Sequence, residues 1–243
     1  MNKPVNISKL LEVSEGSVIS VIGCGGKSSL IELIASENKD KKVLVSPTTK
    51  MFPAVSDKVM LCDTLQSCIE HKPQTGVQYL GQFNSNKGVL EALPELILSE
   101  MIKNYDIVLL EGDGSRSKPC KGWRDHEPVV PDFSTHTIGV VTMEALGKKA
   151  TNEVVHHLEE FLTLTGLNEG EEITISALED MICSPGGMFK RSIGKLFLVI
   201  ANVEDDYIIY SAKKLLKNVI DKYPGRFKRL VYGNTHVNEW NEE

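Results

Sequence analysis

The amino-acid sequence predicts an α/β fold in which helices cover both faces of a mainly parallel sheet. Three observations predict it. Short β-branched apolar runs alternate with segments whose apolar residues recur at helical spacing. A glycine-rich turn joins the first such run to the first helical segment. The chain has 243 residues, 41% of them hydrophobic and 25% charged, which is ordinary for a globular α/β protein and excludes disordered, collagenous and multi-span membrane classes.

The first elements are a buried strand over residues 18–22 and, after the glycine-rich turn, a helix that begins near Leu30. A second strand is predicted over residues 43–45. A strand, a crossover helix and a second strand form the usual opening of a parallel sheet.

The segment from residue 51 to residue 105 is less regular. Strand pieces are predicted over residues 59–61 and 77–80, followed by a polar loop over residues 84–88. Apolar residues at helical spacing then predict one helix from Leu90 to about Lys103, with Pro94 near its first turns. Residues 106–111 are the next buried strand.

The last third of the chain repeats the alternation. Strands are predicted over residues 138–142, 196–200 and 230–232, and a largely helical stretch lies between residues 152 and 183. An amphipathic helix from Ile208 to Ile220 ends before Pro224 and Gly225. We therefore expect a single domain over residues 1–243, with a mainly helical insertion around residues 150–190.

Charge and targeting signals limit the expected partners and location. The formal net charge is −6 and the pI is about 5.6, which disfavours a protein that wraps nucleic acid. The first residues lack the apolar core of a signal peptide, and no apolar run approaches the ~18 residues of a membrane span. We expect a cytoplasmic protein without nucleic-acid or membrane partners. The cysteines show no metal-ligand spacing and are expected to be reduced thiols: Cys24, Cys62, Cys68, Cys120 and Cys183.

The glycine-rich turn is the most informative feature, because its pattern is Gly-x-x-Gly-Lys-Ser between a strand and a helix. Backbone N–H groups of such a turn converge on phosphate oxygens, Lys27 can reach the terminal phosphates and the Ser28 hydroxyl can bind Mg²⁺. The predicted cofactors are therefore ATP or GTP and Mg²⁺, and the predicted fold is a P-loop NTPase-like three-layer sandwich. The predicted nucleotide-binding residues in the turn are Gly23, Cys24, Gly25, Gly26, Lys27, Ser28 and Ser29.

This turn has two other interpretations. Val21 occupies the position of the first glycine in the longer Gly-x-x-x-x-Gly-Lys-[Ser/Thr] pattern, and the shorter spacing resembles the phosphate loop of Mur-ligase-type ATPases. A plain glycine turn with a solvated lysine is the structural alternative. A dinucleotide-binding turn fits less well, because its third glycine would fall on Ser28.

Two carboxylates follow the predicted strand at residues 106–111. Mg²⁺ in nucleotide sites takes one or two carboxylates together with phosphates and water. We assign Glu111, with Ser28, to the metal, and Asp113, with Lys27, to catalysis through a water or substrate group. The alternative is a pair of loop carboxylates that cap the next segment.

Two segments are candidates for a second substrate. Thr48, Thr49 and Lys50 follow the second strand and are expected beside the terminal phosphate or the substrate. Residues 114–124 hold four cations and no carboxylate, which suits an anionic substrate, although a solvated surface loop explains them equally well. These four cations are Arg116, Lys118, Lys121 and Arg124. His126 and Glu127 can supply acid–base chemistry or be structural.

Asn202 and Asp205 have the Asn-x-x-Asp spacing by which many GTPases recognise guanine, but Val203 stands where those proteins have lysine. Asp205 is equally suited to cap the following helix. A second glycine turn, residues 184–191, either closes over the phosphates or is a simple turn.

Six segments together resemble the YqeC-type family of selenium-dependent hydroxylase accessory proteins. The segments are residues 21–29, 46–52, 110–119, 126–131, 185–190 and 202–205, so the resemblance extends over nearly the whole chain. The sequence departs from the family in Ser28-Ser29, where Thr-Thr is common, and Val203 weakens any inference of guanine specificity.

The resemblance implies a P-loop nucleotide-binding protein that helps to mature or insert the cofactor of selenium-dependent molybdenum hydroxylases. As an enzyme it would be an NTPase or an NTP-dependent phosphoryl transferase or ligase, with a phosphorylated pterin cofactor as acceptor. Two alternatives stay open: a nucleotide-gated assembly factor that docks a client hydroxylase, and a nonenzymatic anion-binding module.

Overall fold

The computed structural model describes residues 6–51 and 65–243. Its strands are β1 Ser17–Gly23, β2 Lys42–Pro47, β3 Lys50–Met51, β4 Gly76–Tyr79, β5 Gln82–Asn84, β6 Val89–Glu91, β7 Ile107–Glu111, β8 Cys120–Lys121, β9 His136–Thr142, β10 Val155–His156, β11 Lys195–Ala201, β12 Arg229–Asn234 and β13 Glu239–Glu242. Its α-helices are α1 Ile7–Leu10, α2 Lys27–Glu37, α3 Leu65–Glu70, α4 Glu95–Met101, α5 Leu158–Thr165, α6 Ile175–Cys183 and α7 Asp206–Lys222. Short 3₁₀ helices cover Ile102–Asn104 and Met143–Ala145.

The main sheet has eight strands in the order β13-β12-β11-β9-β1-β7-β2-β4. All neighbouring pairs are parallel except β12 with β13. The chain leaves β1 through α2 to β2 on one side, and β9 lies on the other side of β1, so β1 is at the point where the direction of winding changes. Ligands of open α/β sheets bind at this point, outside the carboxyl ends of the strands.

The alternation of side chains along β1 explains the three layers. Ile19 and Val21 pack with α1 and α2 on one face, whereas Val18 packs with α4 and Ile22 with α6 and α7 on the other face. All seven residues of β1 are buried, as expected of a central strand covered on both sides. The predicted α/β sandwich with a mainly parallel sheet is confirmed.

Three local predictions differ from the structure. The helix predicted from Leu90 begins at Glu95, because Pro94 precedes it and Leu90 belongs to β6, which pairs antiparallel with β3 and β5. The stretch predicted as largely helical also contains β10, which pairs with β8. The edge strand β13 was not predicted. The predicted strand piece at residues 59–61 lies outside the described residues.

Candidate functional site

A cavity of about 770 Å³ opens at the carboxyl ends of the central strands, and we call it the phosphate-loop cavity. Residues 25–29 line its centre. One side, the β7 wing, is formed by Glu111 and by residues 114–117, 119, 126, 127 and 156, together with residues 49–51 after β2. The other side, the β9–β11 wing, is formed by Glu144 and Asn202. The cavity therefore lies where the change of winding predicts a ligand.

The phosphate loop, residues 23–26, needs its glycines. Gly23, Gly25 and Gly26 have φ angles of 106°, 74° and 116°, in the left-handed region that favours glycine. A Cβ on Gly23 would lie 2.2 Å from the Val140 carbonyl oxygen, and one on Gly25 would lie 2.1 Å from Thr142 Cγ2. Because Gly26 caps α2 without a side chain, no side-chain acceptor from the described residues occupies the N–H groups at the start of that helix. These groups can therefore bind an anion.

Cys24 belongs to the loop but not to the cavity wall. Its N–H donates to the Val140 carbonyl at 2.9 Å, and its side chain is fully buried. Burial raises the pKa of the Cys24 thiol to about 12. A buried protonated thiol packs the loop against the sheet and is unsuited to nucleophilic chemistry.

Lys27 lies on the cavity wall and is almost fully buried. Its Nζ donates to the Gly23 carbonyl at 2.7 Å and lies 3.4 Å from Asp113 Oδ1. Burial lowers the pKa of Lys27, but the carboxylates of Asp113 and Glu111 outweigh burial, and the pKa is raised overall. The raised pKa keeps Lys27 positively charged on the cavity wall.

Asp113 is completely buried behind the phosphate loop. Its carboxylate accepts the Gly23 N–H at 3.0 and 3.2 Å and Trp123 Nε1–H at 2.6 Å, and it lies 3.6 Å from Lys121 Nζ. Every oxygen is engaged in positioning the loop. The predicted catalytic role of Asp113 stays a prediction that this burial does not favour, since Asp113 does not line the cavity.

Glu111 is the carboxylate that faces the cavity. Its side chain is 8% exposed, and no donor among the described residues lies within hydrogen-bonding distance of its carboxylate. Burial raises the pKa of Glu111 to about 7, Lys27 opposes the rise and Asp113 adds to it. Glu111, the exposed Ser28 and Lys27 all line the cavity.

Of the three residues after β2, Thr48 has a structural role, and Thr49 and Lys50 line the cavity. Thr48 Oγ1 donates to the Val129 carbonyl at 2.7 Å, so Thr48 fastens two loops together. Thr49 lines the cavity, and its buried Oγ1 has no partner among the described residues. Lys50 also lines the cavity and is 3.4 Å from Glu91 Oε1. Thr49 and Lys50 therefore line the cavity, and their contact with a substrate stays a prediction.

Most cations of residues 114–124, the basic loop, have hydrogen-bonding or ion-pair partners within the protein. Arg116 lines the cavity, whereas Lys118, Lys121 and Arg124, all in the described part of the chain, do not. Lys118 Nζ donates to the Asn152 and Val155 carbonyls, and Arg124 Nε lies 3.4 Å from Glu160. Lys121 is fully buried, donates to the Gly114 carbonyl at 2.7 Å and lies 3.2 Å from Glu127. Of these four cations, Arg116 therefore lines the cavity.

The β7 wing also contains two histidines. His126, a candidate from the sequence, lines the cavity together with Glu127. His156 lines it as well and was missed, because it lies in the distant stretch that β10 brings beside β8. Burial, then His157 and Lys121, lowers the pKa of His156 to about 3, so its imidazole is neutral at pH 7. No local sequence signal marks this residue.

Of the two residues predicted to contact a base, Asn202 and Asp205, the first belongs to the β9–β11 wing and the second does not. Asn202 lines the cavity, but Asp205 caps α7, its Oδ1 accepting the Ile208 N–H at 2.8 Å. The helix-cap alternative for Asp205 is thus confirmed. Glu144, which the sequence did not single out, lies beside Asn202, whose Nδ2 donates to Glu144 Oε1 at 3.4 Å.

The second glycine turn packs behind the site. Met188 and Phe189 fill the space above Gly23 and Gly139, and Lys190 Nζ donates to the Trp123 and Arg124 carbonyls at 3.1 and 2.7 Å. The turn therefore supports the loop over residues 112–126.

Within residues 6–51 and 65–243, no group of three or more His, Cys, Asp or Glu side chains could hold a metal ion alone. No helix in the same part of the chain is long and apolar enough to cross a bilayer.

Comparison with known proteins gives two matches. A family model described as "YqeC protein" matches residues 19–159, more than half of the chain. A protein of Escherichia coli (strain K12) described as "Uncharacterized protein YqeC" is 30% identical over 181 residues, which cover 72% of this chain and 71% of that protein. The family match includes the phosphate loop, Glu111 and the β7 wing, but not Asn202.

Proposed function

The chain belongs to the YqeC family, and from this premise and the geometry of the cavity we propose that it binds a magnesium nucleoside triphosphate. The observation that carries the proposal is the phosphate loop itself. Left-handed glycines hold an open helix N-terminus and a buried, charged Lys27 at the centre of the cavity. Backbone N–H groups, helix dipole and ammonium then act together on a phosphate chain.

The residues present fit Mg²⁺. The Glu111 carboxylate, which has no hydrogen-bonding partner among the described residues, lines the cavity together with Ser28, and Mg²⁺ in nucleotide sites takes few protein ligands besides phosphate oxygens and water. When bound, the ion offsets the negative charge of the phosphate oxygens. Lys27 orients the terminal phosphate. Its Nζ, which donates to the Gly23 carbonyl in the ligand-free protein, would then donate to a phosphate oxygen instead.

The β7 wing suits a second ligand next to the terminal phosphate. Arg116 is exposed on the cavity wall, and no carboxylate among the described residues pairs with it. A guanidinium in this position binds an anionic group, as expected for a phosphorylated pterin or a related cofactor. In this form the protein hydrolyses the nucleotide or transfers its phosphoryl group.

A second candidate is a nucleotide-gated assembly factor for a client hydroxylase. It is favoured by the contacts that join the phosphate loop to the surface loops. Asp113 holds Gly23 and Trp123, and Lys190 holds Trp123 and Arg124. A ligand that shifts the phosphate loop would therefore shift residues 112–126 and 184–191. The family resemblance supports selenium-dependent molybdenum hydroxylases as clients.

Thermal melting tests nucleotide binding. Mg-ATP or Mg-GTP at a hundredfold excess over Kd should stabilise the wild-type protein by about 2.7 kcal/mol, equivalent to a rise in Tm of roughly 5–10 °C. Lys27→Met keeps the apolar stem and removes the charge, so the rise above its own ligand-free Tm should vanish. Lys214→Met, which changes an exposed lysine of α7 outside the cavity, is the matched control. An undiminished rise with Lys27→Met would refute the phosphate-loop assignment.

Hydrolysis assays separate the two candidates. Phosphate release is measured from the protein alone, with a pterin cofactor and with a molybdenum hydroxylase. Turnover without the hydroxylase supports the enzyme, and turnover only with it supports the assembly factor. Nucleotide binding without turnover in any mixture would exclude the enzyme.

A further inference from the structure

We infer that Glu144, positioned by Asn202, recognises the nucleoside part of the nucleotide through a pair of adjacent hydrogen-bond donors. The inference rests on the proposed function and adds the residue that sets nucleotide specificity. It replaces Asp205, which the spacing of the sequence suggested for this role and which the structure uses as a helix cap.

The position of Glu144 follows from the contacts of the phosphate loop. A Cβ on Gly25 would overlap Thr142, the last residue of β9, and one on Gly26 would lie 3.1 Å from Ala201, the last residue of β11. Glu144 and Asn202 come directly after these strand ends and line the cavity. The β9–β11 wing is therefore contiguous with the loop that holds the phosphates.

The direction of the bound nucleotide follows from the opposite wing. Glu111, at the end of β7, lies on the other side of β1 from β9 and β11. Since the metal carboxylate marks the terminal phosphates, the nucleoside extends away from Glu111, towards Glu144 and Asn202.

The carboxylate of Glu144 is held by local structure. Met143–Ala145 form a 3₁₀ turn in which Met143 and Ala145 are buried and the Glu144 N–H donates to Thr142 Oγ1 at 3.3 Å. Asn202 has a φ of 58°, in the left-handed region that asparagine adopts more readily than most residues other than glycine. Its amide bridges Glu144 Oε1 and Thr235 Oγ1, each at 3.4 Å.

The chemistry of the carboxylate defines the ligand. An ionised glutamate only accepts hydrogen bonds, and among the described residues Asn202 alone donates to its side chain. It therefore suits two neighbouring donors. A nucleoside offers such a pair in guanine, as the N1–H and 2-amino groups, or in the ribose 2′- and 3′-hydroxyls. The Watson–Crick edge of adenine has a donor beside an acceptor and does not match.

Calorimetric titrations with Mg²⁺ and GTP, ITP, ATP or 2′,3′-dideoxy-GTP test the inference. If guanine is the partner, wild-type protein should bind GTP about tenfold or more tightly than ATP and ITP. If the ribose is the partner, dideoxy-GTP should bind about tenfold more weakly than GTP, and ATP should equal GTP. Either discrimination should disappear in Glu144→Gln, which keeps the shape of the side chain.

Two further variants complete the test. Asn202→Gly accepts the left-handed backbone and removes only the amide, so discrimination should fall while the Tm is retained. Asp205→Asn preserves the helix cap and should bind every nucleotide as wild type does. Unchanged affinities in Glu144→Gln, or discrimination lost in Asp205→Asn, would overturn the inference and leave the proposed function standing. Absence of nucleotide binding in the wild type would refute both.

Discussion

At the scale of single residues, burial decides what each charged side chain does. The buried carboxylate of Asp113 lies 3.4 Å from Lys27 Nζ and 3.6 Å from Lys121 Nζ, so it compensates the charge of both buried ammonium groups. Lys121 and Asp113 are thereby withdrawn from the cavity. Glu111 is buried without a hydrogen-bonding partner from the described residues, and this makes its charge costly.

The pKa of Glu111 predicts a pH-dependent stability. Because its folded-state pKa is about 7 and its ordinary value is 4.5, the folded state binds the proton more tightly, and stability is lost as the pH rises from about 4.5 to 7. Glu111→Gln removes this loss. The variant should match wild type at pH 4 and exceed its free energy of unfolding by on the order of 2 kcal/mol at pH 8, measured by urea denaturation without Mg²⁺.

The control for this measurement is Glu144→Gln, an exposed carboxylate on the same cavity that should leave the pH profile unchanged. A constant difference between Glu111→Gln and wild type from pH 4 to pH 8 would contradict the raised pKa.

At the scale of elements, the junction between β1 and the loop over residues 112–126 organises the site. Asp113 accepts hydrogen bonds from Gly23 at the end of β1 and from Trp123 near β8. β8 in turn pairs with β10 and brings His156 to the cavity. One buried carboxylate therefore connects the phosphate loop with the β7 wing.

Asp113→Asn should destabilise the protein strongly. The substitution removes one partner of a buried charge network and leaves Lys27 and Lys121 less compensated, at a cost of about 3–5 kcal/mol in the free energy of unfolding. Trp123→Phe removes a single hydrogen bond to the same carboxylate and should cost less, about 1.5–3 kcal/mol. Urea denaturation measures both. Equal or reversed effects would show that Asp113 is not the centre of the network.

At the scale of the whole molecule, the helices of the insertion share a core with the sheet. One apolar cluster contains Ile22 of β1, Phe161 of α5, Met181 of α6 and Leu215 of α7. The opposite face of the sheet packs against α1 and α2 and includes Trp240 of β13. Continuous packing of this kind favours cooperative unfolding.

The two tryptophans test that expectation. Trp123 lies in the cluster with α5 and α6, and Trp240 lies in the cluster with α1 and α2. Fluorescence of Trp240→Phe, which reports Trp123, and of Trp123→Phe, which reports Trp240, should each give the same urea midpoint as the circular dichroism of the same variant. A fluorescence midpoint that departs from its variant's circular dichroism would reveal two units and contradict the predicted single domain.

Local patterns in the sequence were sufficient for the fold and the centre of the site. Apolar β-branched runs identify the buried strands because both faces of the sheet are covered, and the Gly-Lys-Ser pattern between a strand and a helix can be recognised from neighbouring residues alone. Glu111 was predictable because parallel strands end at one edge of the sheet. The helix predicted from Leu90 shows where such patterns fail. Apolar residues at helical spacing continue on both sides of Pro94, but the helix begins only after this proline.

Tertiary structure alone decided which charges face the cavity. Lys118, Lys121 and Arg124 carry the same charge as Arg116, but the folded chain gives them backbone carbonyls or carboxylates as partners away from the cavity. His156 and Glu144 reach the cavity because β10 pairs with β8 and because β9 ends beside the phosphate loop. Desolvation and long-range pairing depend on every neighbour in space, and for this reason the sequence determined the phosphate loop while the folded chain determined its two wings.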